Sequence, residues 1–312
     1  MGISLKAAWV NWKDCLARDD DINPIFNQLT LMVWDTAIYR VILRGRDLRW
    51  KVNPDNPQVN AEFHNFIDRN YFQTQCATVR RLVDNTRKSK IYGDYGVYSI
   101  GALVKDIENH HCELTRGAFL ELHEMPYDYS EVQKRERDFI FARGFDENPF
   151  IDPPELDWEI IEDAHRQFDR MSGVSQEKRS PDDRIKQSVF DGLRAQLSKC
   201  DPIVKHVDKF IAHSSTPESR SKIPDSRITF SQVWEAQRIL YEIANFLRAS
   251  LFLVDTMSLP VESYSFYSDW DQPLFHEDEK DRIYEVYKKY EKETDDWRVN
   301  SVENMWKVIE EL

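Results

Sequence analysis

The sequence predicts an all-α protein. Only nine of its 312 residues are glycine, a low share beside the ~7% of a typical protein. These glycines form neither the G-x-G-x-x-G nor the Walker spacing, which excludes nucleotide binding by those two loops. Apolar residues recur every three or four positions in several segments, whereas no run shows the alternation and turn dipeptides of paired strands.

The first third of the chain contains three or four predicted helices. Apolar periodicity predicts one or two helices around 8–17 and 26–43, and a broad apolar face predicts another over 62–84. Ser99 is placed to cap a further helix that continues to about His111, because a serine oxygen accepts hydrogen bonds from the first free amides of a helix.

Prolines interrupt the middle of the chain, and residues 126–154 are predicted to be irregular. The next helix begins near Glu155 and ends at Gly173, since glycine readily adopts the left-handed conformation that follows a helix. Ser180 followed by Pro181 then indicates the start of another helix, with proline at its first position.

Two sequence signals predict helix boundaries in the following segment. The helix should stop and restart at Asp201-Pro202, because proline lacks the amide donor that a helix interior requires. Thr229 and Gln232 form a capping box. The helix that follows them has the clearest apolar periodicity in the chain and continues to Val254.

The composition changes near residue 255. Aromatic and aspartate residues become frequent, and two short helices are predicted at 277–293 and 302–312. We therefore divide the chain into a helical bundle, residues 1–255, and a C-terminal helical extension, residues 256–312. Two tryptophans in the extension should dock it onto the bundle.

The chain is acidic, with a formal net charge of −13 at pH 7. This charge is unsuited to non-specific binding of duplex DNA, although it is compatible with a local basic site for a short RNA. The longest apolar runs fall far short of the ~20 residues that a membrane span needs, and the start shows no secretory signal pattern. We expect a cytoplasmic protein that does not enter membranes.

Neither a metal site nor a cofactor is predicted. The four cysteines lie far apart without a C-x-x-C pair, which is typical of reduced thiols. His110 and His111 are neighbours, and adjacent side chains on a helix point about 100° apart and do not converge on one ion. A solvated helix end is the simpler interpretation of this pair.

Two histidines near residue 210 are the strongest candidates for chemistry. His206 and His213 are seven residues apart, which on a helix is two turns, or roughly 10.5 Å. Lys209 shares their face, while Ile203 and Val207 belong to an opposite, apolar stripe. A histidine can act as general acid or base on a ribose hydroxyl, and a nearby cation can hold the phosphate. Alternatively, His213 hydrogen-bonds backbone carbonyls at the helix end.

The sequence around these histidines reads DKFIAHSS and is followed by ITFSQVWEAQRILYEIANFL. Upstream, an Arg-Leu-x-Asp stretch begins at Arg81. Together these segments resemble the HEPN superfamily, and in particular the branch associated with bacterial abortive infection. The resemblance covers residues 5–255 and leaves the extension unexplained.

The resemblance implies an all-α bundle, often dimeric, in which the motif helices of two subunits face each other. Many relatives are metal-independent ribonucleases whose motif is an arginine, a polar residue and, a few residues later, a histidine. Carried over, the histidine is His213, the polar residue is Asp208, and the arginine position is Val207. Valine cannot hold a phosphate, so Lys209 or Lys205 would have to substitute, without the bidentate fork of arginine.

A basic patch at 80–90 is the second place where RNA could bind. The alternative is that its arginines and lysines pair with the many acidic residues of this chain. The RNA-binding candidates are two arginines of the patch and two residues of the motif segment: Arg80, Arg81, Lys205 and His206.

Three functions follow from these observations. The first is a HEPN-like protein of bacterial defence, of the abortive-infection or toxin–antitoxin type, which cleaves RNA with His213, Lys209 and Asp208. The second is a non-catalytic binding or regulatory scaffold of the same fold, and the valine at 207 favours it. The third is an unrelated helical protein whose acidic surface binds a basic partner. A homodimer, an RNA and an antitoxin or other protein are the expected partners.

Overall fold

Eleven helices make up the described part of this computed structural model, which comprises residues 3–17, 24–52, 61–85, 96–143, 158–212, 228–256 and 279–312. No β-strand forms within these ranges, so the predicted all-α class is confirmed. None of the helices in the same ranges is both long and apolar enough to cross a membrane.

In chain order the helices are α1 (Leu5–Ala17), α2 (Ile25–Val52), α3 (Ala61–Leu82), α4 (Ile100–Asn109), α5 (Arg116–Leu122), α6 (Ser130–Arg143), α7 (Trp158–Ser172), α8 (Gln187–Ser198), α9 (Asp201–His206), α10 (Phe230–Phe246) and α11 (Lys280–Glu310). Helix α9 continues as a π-helical turn over Val207–Ile211, and α10 as another over Leu247–Leu251.

Several predicted helix boundaries are confirmed. The Ser99 side chain accepts a hydrogen bond from the Ala102 amide at 3.0 Å and caps α4. Gly173 follows α7 with a φ of +66°, a conformation that residues with a Cβ avoid. Thr229 and Gln232 exchange both hydrogen bonds of a capping box at the start of α10. Each of these signals acts within one helical turn, which is why the sequence alone locates it.

Two predictions in the middle of the chain are wrong. Helix α6 lies inside the stretch predicted to be irregular, because its largely polar sequence carries little apolar periodicity. Helix α8 begins at Gln187 instead of Ser180. Residues 180–183 form a turn whose carbonyl oxygens, on Pro181 and Asp183, accept hydrogen bonds from the first amides of α5. The Ser180-Pro181 pair, which predicts the start of α8, therefore lies in a turn that caps the start of α5.

The extension contains one long helix, α11, where the sequence predicts two short ones. Thr294 and Ser301 interrupt its apolar pattern, yet both side chains are fully buried. Each hydroxyl donates to a carbonyl of α11, that of Tyr290 for Thr294 and that of Arg298 for Ser301. Small polar side chains can face a core when their hydrogen bonds are made. The helix therefore continues through the positions where the apolar pattern is interrupted.

Helix α10 lies at the centre of the molecule, and its buried residues face α2, α3, α8 and α11. Trp297 and Trp306, the two tryptophans expected to dock the extension, are both buried. Trp297 contacts Trp234 of α10, with ring centroids 5.3 Å apart, and Trp306 contacts Phe246, with centroids 5.2 Å apart. Helix α9 and its π-turn pack against α3, which brings the motif segment beside the basic patch.

Candidate functional site

A cavity of about 450 Å³ lies where the C-terminal ends of α3 and α8 meet α9. We call it the Arg80 cavity. Its charged lining consists of two arginines and three aspartates. They are Arg80, Arg194, Asp84, Asp201 and Asp208. It is the place where residues from both sequence-predicted sites meet.

Arg80 and Asp208 contact each other directly, although they are 128 residues apart in the chain. The Nε of Arg80 donates to Oδ1 of Asp208 at 3.0 Å, and Nη1 lies 3.5 Å from Oδ2 of Asp84. The hydrogen bond to Asp208 is the main cause of a raised pKa for Arg80. For Arg80, this pairing agrees with the interpretation in which the arginines of the basic patch pair with acidic residues of the chain.

Arg194 is also paired with carboxylates, those of Glu108 and Asp191. Although burial by itself raises the pKa of Glu108, hydrogen bonds from Arg194 and Gln187 hold that pKa below its usual value. Both arginines of the Arg80 cavity thus already have anionic partners. A phosphate entering the cavity would compete with those carboxylates.

Val207, at the position where the HEPN resemblance implies an arginine, is buried with 3% of its surface exposed. It faces the core together with Ile203, as the apolar stripe predicts. The amide of Ala212 donates to the carbonyl of Val207 at 2.8 Å, and this five-residue step is the mark of a π-turn. Phe210, within this turn, is exposed. The π-turn departs from the continuous α-helix assumed for the motif.

The other motif residues lie nearer the surface. His206 is partly buried, and its ring stacks on Phe210 with centroids 5.0 Å apart. Burial lowers the pKa of His206. Lys205 is exposed and Lys209 is partly buried. Arg81 is exposed and donates to the hydroxyl of Thr78 at 2.9 Å.

His213, the proposed acid or base, lies outside the described residues, as do Arg87, Lys88 and Lys90. The structure therefore brings together Arg80, Asp208 and the α9 segment, and it leaves the placement of His213 a prediction.

The described residues contain no group of three or more His, Cys, Asp or Glu side chains that could hold a metal ion. The ring of His110 bonds the carbonyl of Asp106, and that of His111 bonds the carbonyl of Glu108, each at 2.9 Å. Both histidines thus terminate α4. Cys15, Cys76 and Cys200 are buried, and burial raises their thiol pKa values to about 12; Cys112 is exposed.

A second group of charged residues, which we call the Arg116 cluster, is not predicted from the sequence. Arg116 is completely buried and pairs with Asp183 at 2.9 Å and with Asp169 at 2.8 Å. Arg179 pairs with Glu162 at 2.8 Å and with the same Asp169 at 2.7 Å. The cluster joins α5, α7 and the segment before α8. Its members are scattered from 116 to 183, so no local motif marks them.

Two neutral side chains complete the Arg116 cluster. His165 lies within 3.5 Å of the guanidinium of Arg116 and bonds the carbonyl of Tyr127. The hydroxyl of Tyr129 donates to Glu162 at 2.5 Å. Burial is the main cause that lowers the pKa of His165. Because every charge in the cluster has a partner, the arrangement serves to hold three segments together.

No family model, curated protein or solved structure matches this chain. The HEPN resemblance therefore rests on the motif residues quoted above.

Proposed function

We propose that this chain is a non-catalytic, HEPN-like binding scaffold of a bacterial defence system, of the abortive-infection or toxin–antitoxin type. The observation that carries the proposal is the burial of Val207. An arginine that acts on a phosphate must reach solvent and substrate, and position 207 points into the apolar core. The ribonuclease motif is thus incomplete at its cationic residue.

The charges around the motif segment support the same function. The Arg80 cavity contains three aspartates and two arginines, and both arginines are engaged with carboxylates. RNA binding depends on cations that can replace the counterions of phosphates. A cavity in which acids already neutralise the cations gives RNA little electrostatic attraction. We therefore propose a protein as the partner, either an antitoxin or another component of the defence system.

Self-association is part of the proposal. The resemblance implies motif helices that face each other across a two-fold axis, and Phe210 on the π-turn is 41% exposed. A symmetric dimer buries the same surface on both subunits. We expect a cytoplasmic homodimer, with Phe210 at its interface. Sedimentation equilibrium should give about twice the 37.1 kDa monomer mass, and Phe210→Ser should shift it toward the monomer.

A ribonuclease assay tests the absence of catalysis. Wild-type protein and Val207→Arg are incubated with structured and single-stranded RNAs in the presence of EDTA, and the stability of the variant is measured alongside. We expect no cleavage by the wild type. Metal-independent cleavage that disappears in His213→Ala would refute the scaffold proposal, because losing an acid–base group lowers rates about 10² to 10⁴-fold.

The contact between Arg80 and Asp208 favours a second candidate, an endoribonuclease with a relocated cation. The guanidinium of Arg80 comes from α3 and lies 3.0 Å from Asp208, the residue that follows Val207 in the motif segment. In this candidate Arg80 holds the phosphate and His213 transfers the proton. It requires cleavage by the wild type that Arg80→Gln abolishes and that Arg166→Gln retains, since Arg166 is an exposed arginine of α7 that does not line the cavity.

A further inference from the structure

An open groove of about 290 Å³ runs between α2 and α3, on a different part of the surface from the Arg80 cavity. Both helices contribute to its walls, which are mostly apolar. They are formed by Ile38, Tyr39 and Ile42 of α2 and by Phe66, Ile67 and Tyr71 of α3. Phe66 is 53% exposed, so the groove presents aromatic and aliphatic surface to the solvent.

One carboxylate, that of Asp35, lies in this apolar groove. The side chain is partly buried, and burial raises its pKa above the ordinary value. Its hydrogen bond comes from Nε2 of Gln75 at 3.3 Å. Within the described residues Asp35 makes no ion pair. By contrast, the nearby Asp68 is paired with Arg46 at 2.7 Å and accepts from the hydroxyl of Tyr39 at 2.8 Å.

The hydrogen bonds behind Asp35 fix its role as an acceptor. Gln237 donates from Nε2 to Oε1 of Gln75 at 2.8 Å and to Oγ1 of Thr36 at 2.5 Å. Because the amide oxygen of Gln75 is used in this way, its NH₂ group points to Asp35. Gln75 and Gln237 are buried, so the arrangement is held from the core. Asp35 therefore offers its remaining lone pairs to the groove, where a cation would satisfy them.

The exposed aromatic ring of the groove is suited to the same kind of group. Phe66 is exposed, and the guanidinium of Arg69 lies 5.9 Å from its ring centroid, whereas Tyr39 and Tyr71 are buried and stack on each other with centroids 3.9 Å apart. Aromatic faces attract ammonium and guanidinium groups, while the aliphatic stem of a lysine or arginine packs on apolar surface. An RNA phosphate, in contrast, would be repelled by the carboxylate of Asp35.

We propose that the groove between α2 and α3 binds an amphipathic helical segment of a partner protein, whose apolar face carries one lysine or arginine that pairs with Asp35. This inference rests on the proposed scaffold function and names the chemistry of its partner. Charge complementarity supports it: among the described residues the carboxylate of Asp35 has no ion-pair partner, and the whole chain carries a net charge of −13. A helix placed between two helices is a common way to recognise a peptide.

Two synthetic peptides test the proposal with the full-length protein. Both form an amphipathic helix with leucines at i, i+3, i+4 and i+7; one carries a single lysine within the apolar face, and the other carries glutamine there. Fluorescence anisotropy measures binding to wild type, Asp35→Asn and Asp182→Asn. Asp182 is an exposed residue outside the groove, and its substitution changes the net charge by the same amount.

We expect the lysine peptide to bind wild type and Asp182→Asn about tenfold more tightly than the glutamine peptide. Asp35→Asn should remove this preference, since asparagine still accepts from Gln75 but has no charge. Phe66→Ala should weaken both peptides equally, and its high exposure keeps the fold intact. Circular dichroism of each variant verifies folding.

Equal binding of the two peptides to wild type, or no binding at about 1 mM, would overturn the proposal. So would a monomer–dimer equilibrium that depends on Asp35, because the occupant would then be a second copy of this chain. The ribonuclease assay is independent of these measurements. RNA cleavage together with a lysine preference would reject the non-catalytic function alone, and no cleavage together with equal peptide binding would reject this inference alone.

Discussion

The Arg116 cluster and the Arg80 cavity use the same chemical groups in two different settings. In each, arginines from one part of the chain pair with aspartates from another. Arg116 has no exposed surface, and its partners Asp169 and Asp183 retain 18% and 11% of their side-chain surface. Arg80 and Asp208 keep 30% and 42%. Water therefore reaches both side chains of the Arg80–Asp208 pair, whereas in the Arg116 cluster it reaches part of the two carboxylates and none of Arg116.

This difference separates a cluster that stabilises the fold from a pair that water can reach. A buried charge that loses its partner cannot be solvated, so the partners in the Arg116 cluster depend on each other for stability. An exposed pair can exchange its partner for water or for a ligand at little energetic cost. The Arg80 cavity can therefore change its contacts without unfolding the protein, and the Arg116 cluster cannot.

The largest effect is expected from Arg116→Ala. The substitution leaves the carboxylates of Asp169 and Asp183 without their buried partner, and should lower the free energy of unfolding by about 3–5 kcal/mol. Urea denaturation followed by circular dichroism measures it. Arg166→Ala is the matched control, because Arg166 pairs with Asp163 in the same region but both side chains are more than half exposed. A loss below about 1 kcal/mol for Arg116→Ala would show that the cluster is not structural.

A smaller effect is expected on the pH dependence of the free energy of unfolding, through a histidine beside α5. His123 follows α5, and its ring packs between Trp9 and Phe119. Burial lowers the pKa of His123 to about 4, while its hydrogen bond to the carbonyl of Leu251 opposes the shift. The unfolded chain binds a proton near the ordinary pKa of ~6.5, so stability falls as the pH drops from about 6.5 to 4.

From pH 7 to pH 5 the wild type should lose about 2 kcal/mol through His123. Urea denaturation at the two pH values measures the difference, and His123→Gln should reduce it, since glutamine donates the same hydrogen bond without titrating. Arg80→Ala should leave the pH dependence of the free energy of unfolding unchanged, because arginine stays ionised between pH 5 and pH 7. If the pH dependence of stability persists in His123→Gln, other groups cause it. His165 is one such group, because burial lowers its pKa as well.

The smallest effect is expected in the Arg80 cavity. Arg80→Ala and Asp208→Ala should each change the free energy of unfolding by less than about 1 kcal/mol, and their coupling in a double-mutant cycle should be equally small. A coupling of about 3 kcal/mol would mean that water is excluded from this pair as well, and the contrast between the two regions would disappear.

Much of the helical framework could be predicted because its signals are local. A cap such as Ser99, the box formed by Thr229 and Gln232, and the break at Asp201-Pro202 each act within one turn of helix. The burial of Val207 follows from apolar spacing on one helix. The same reasoning failed for α6, where few apolar residues give a period, and at Ser180, whose turn satisfies amides of α5.

The candidate sites could be predicted from the sequence less completely than the helices, because their contacts depend on the tertiary structure. The sequence identified Arg80 and Asp208 separately as candidates, but only the packing of α3 against α9 showed that they pair. The Arg116 cluster and the position of Asp35 between α2 and α3 had no local signal. A helix start or an apolar face is determined by residues within about four positions. The partner of a charge is determined by whichever segment the folded chain brings within 3–4 Å of it, and that distance has no counterpart in the sequence.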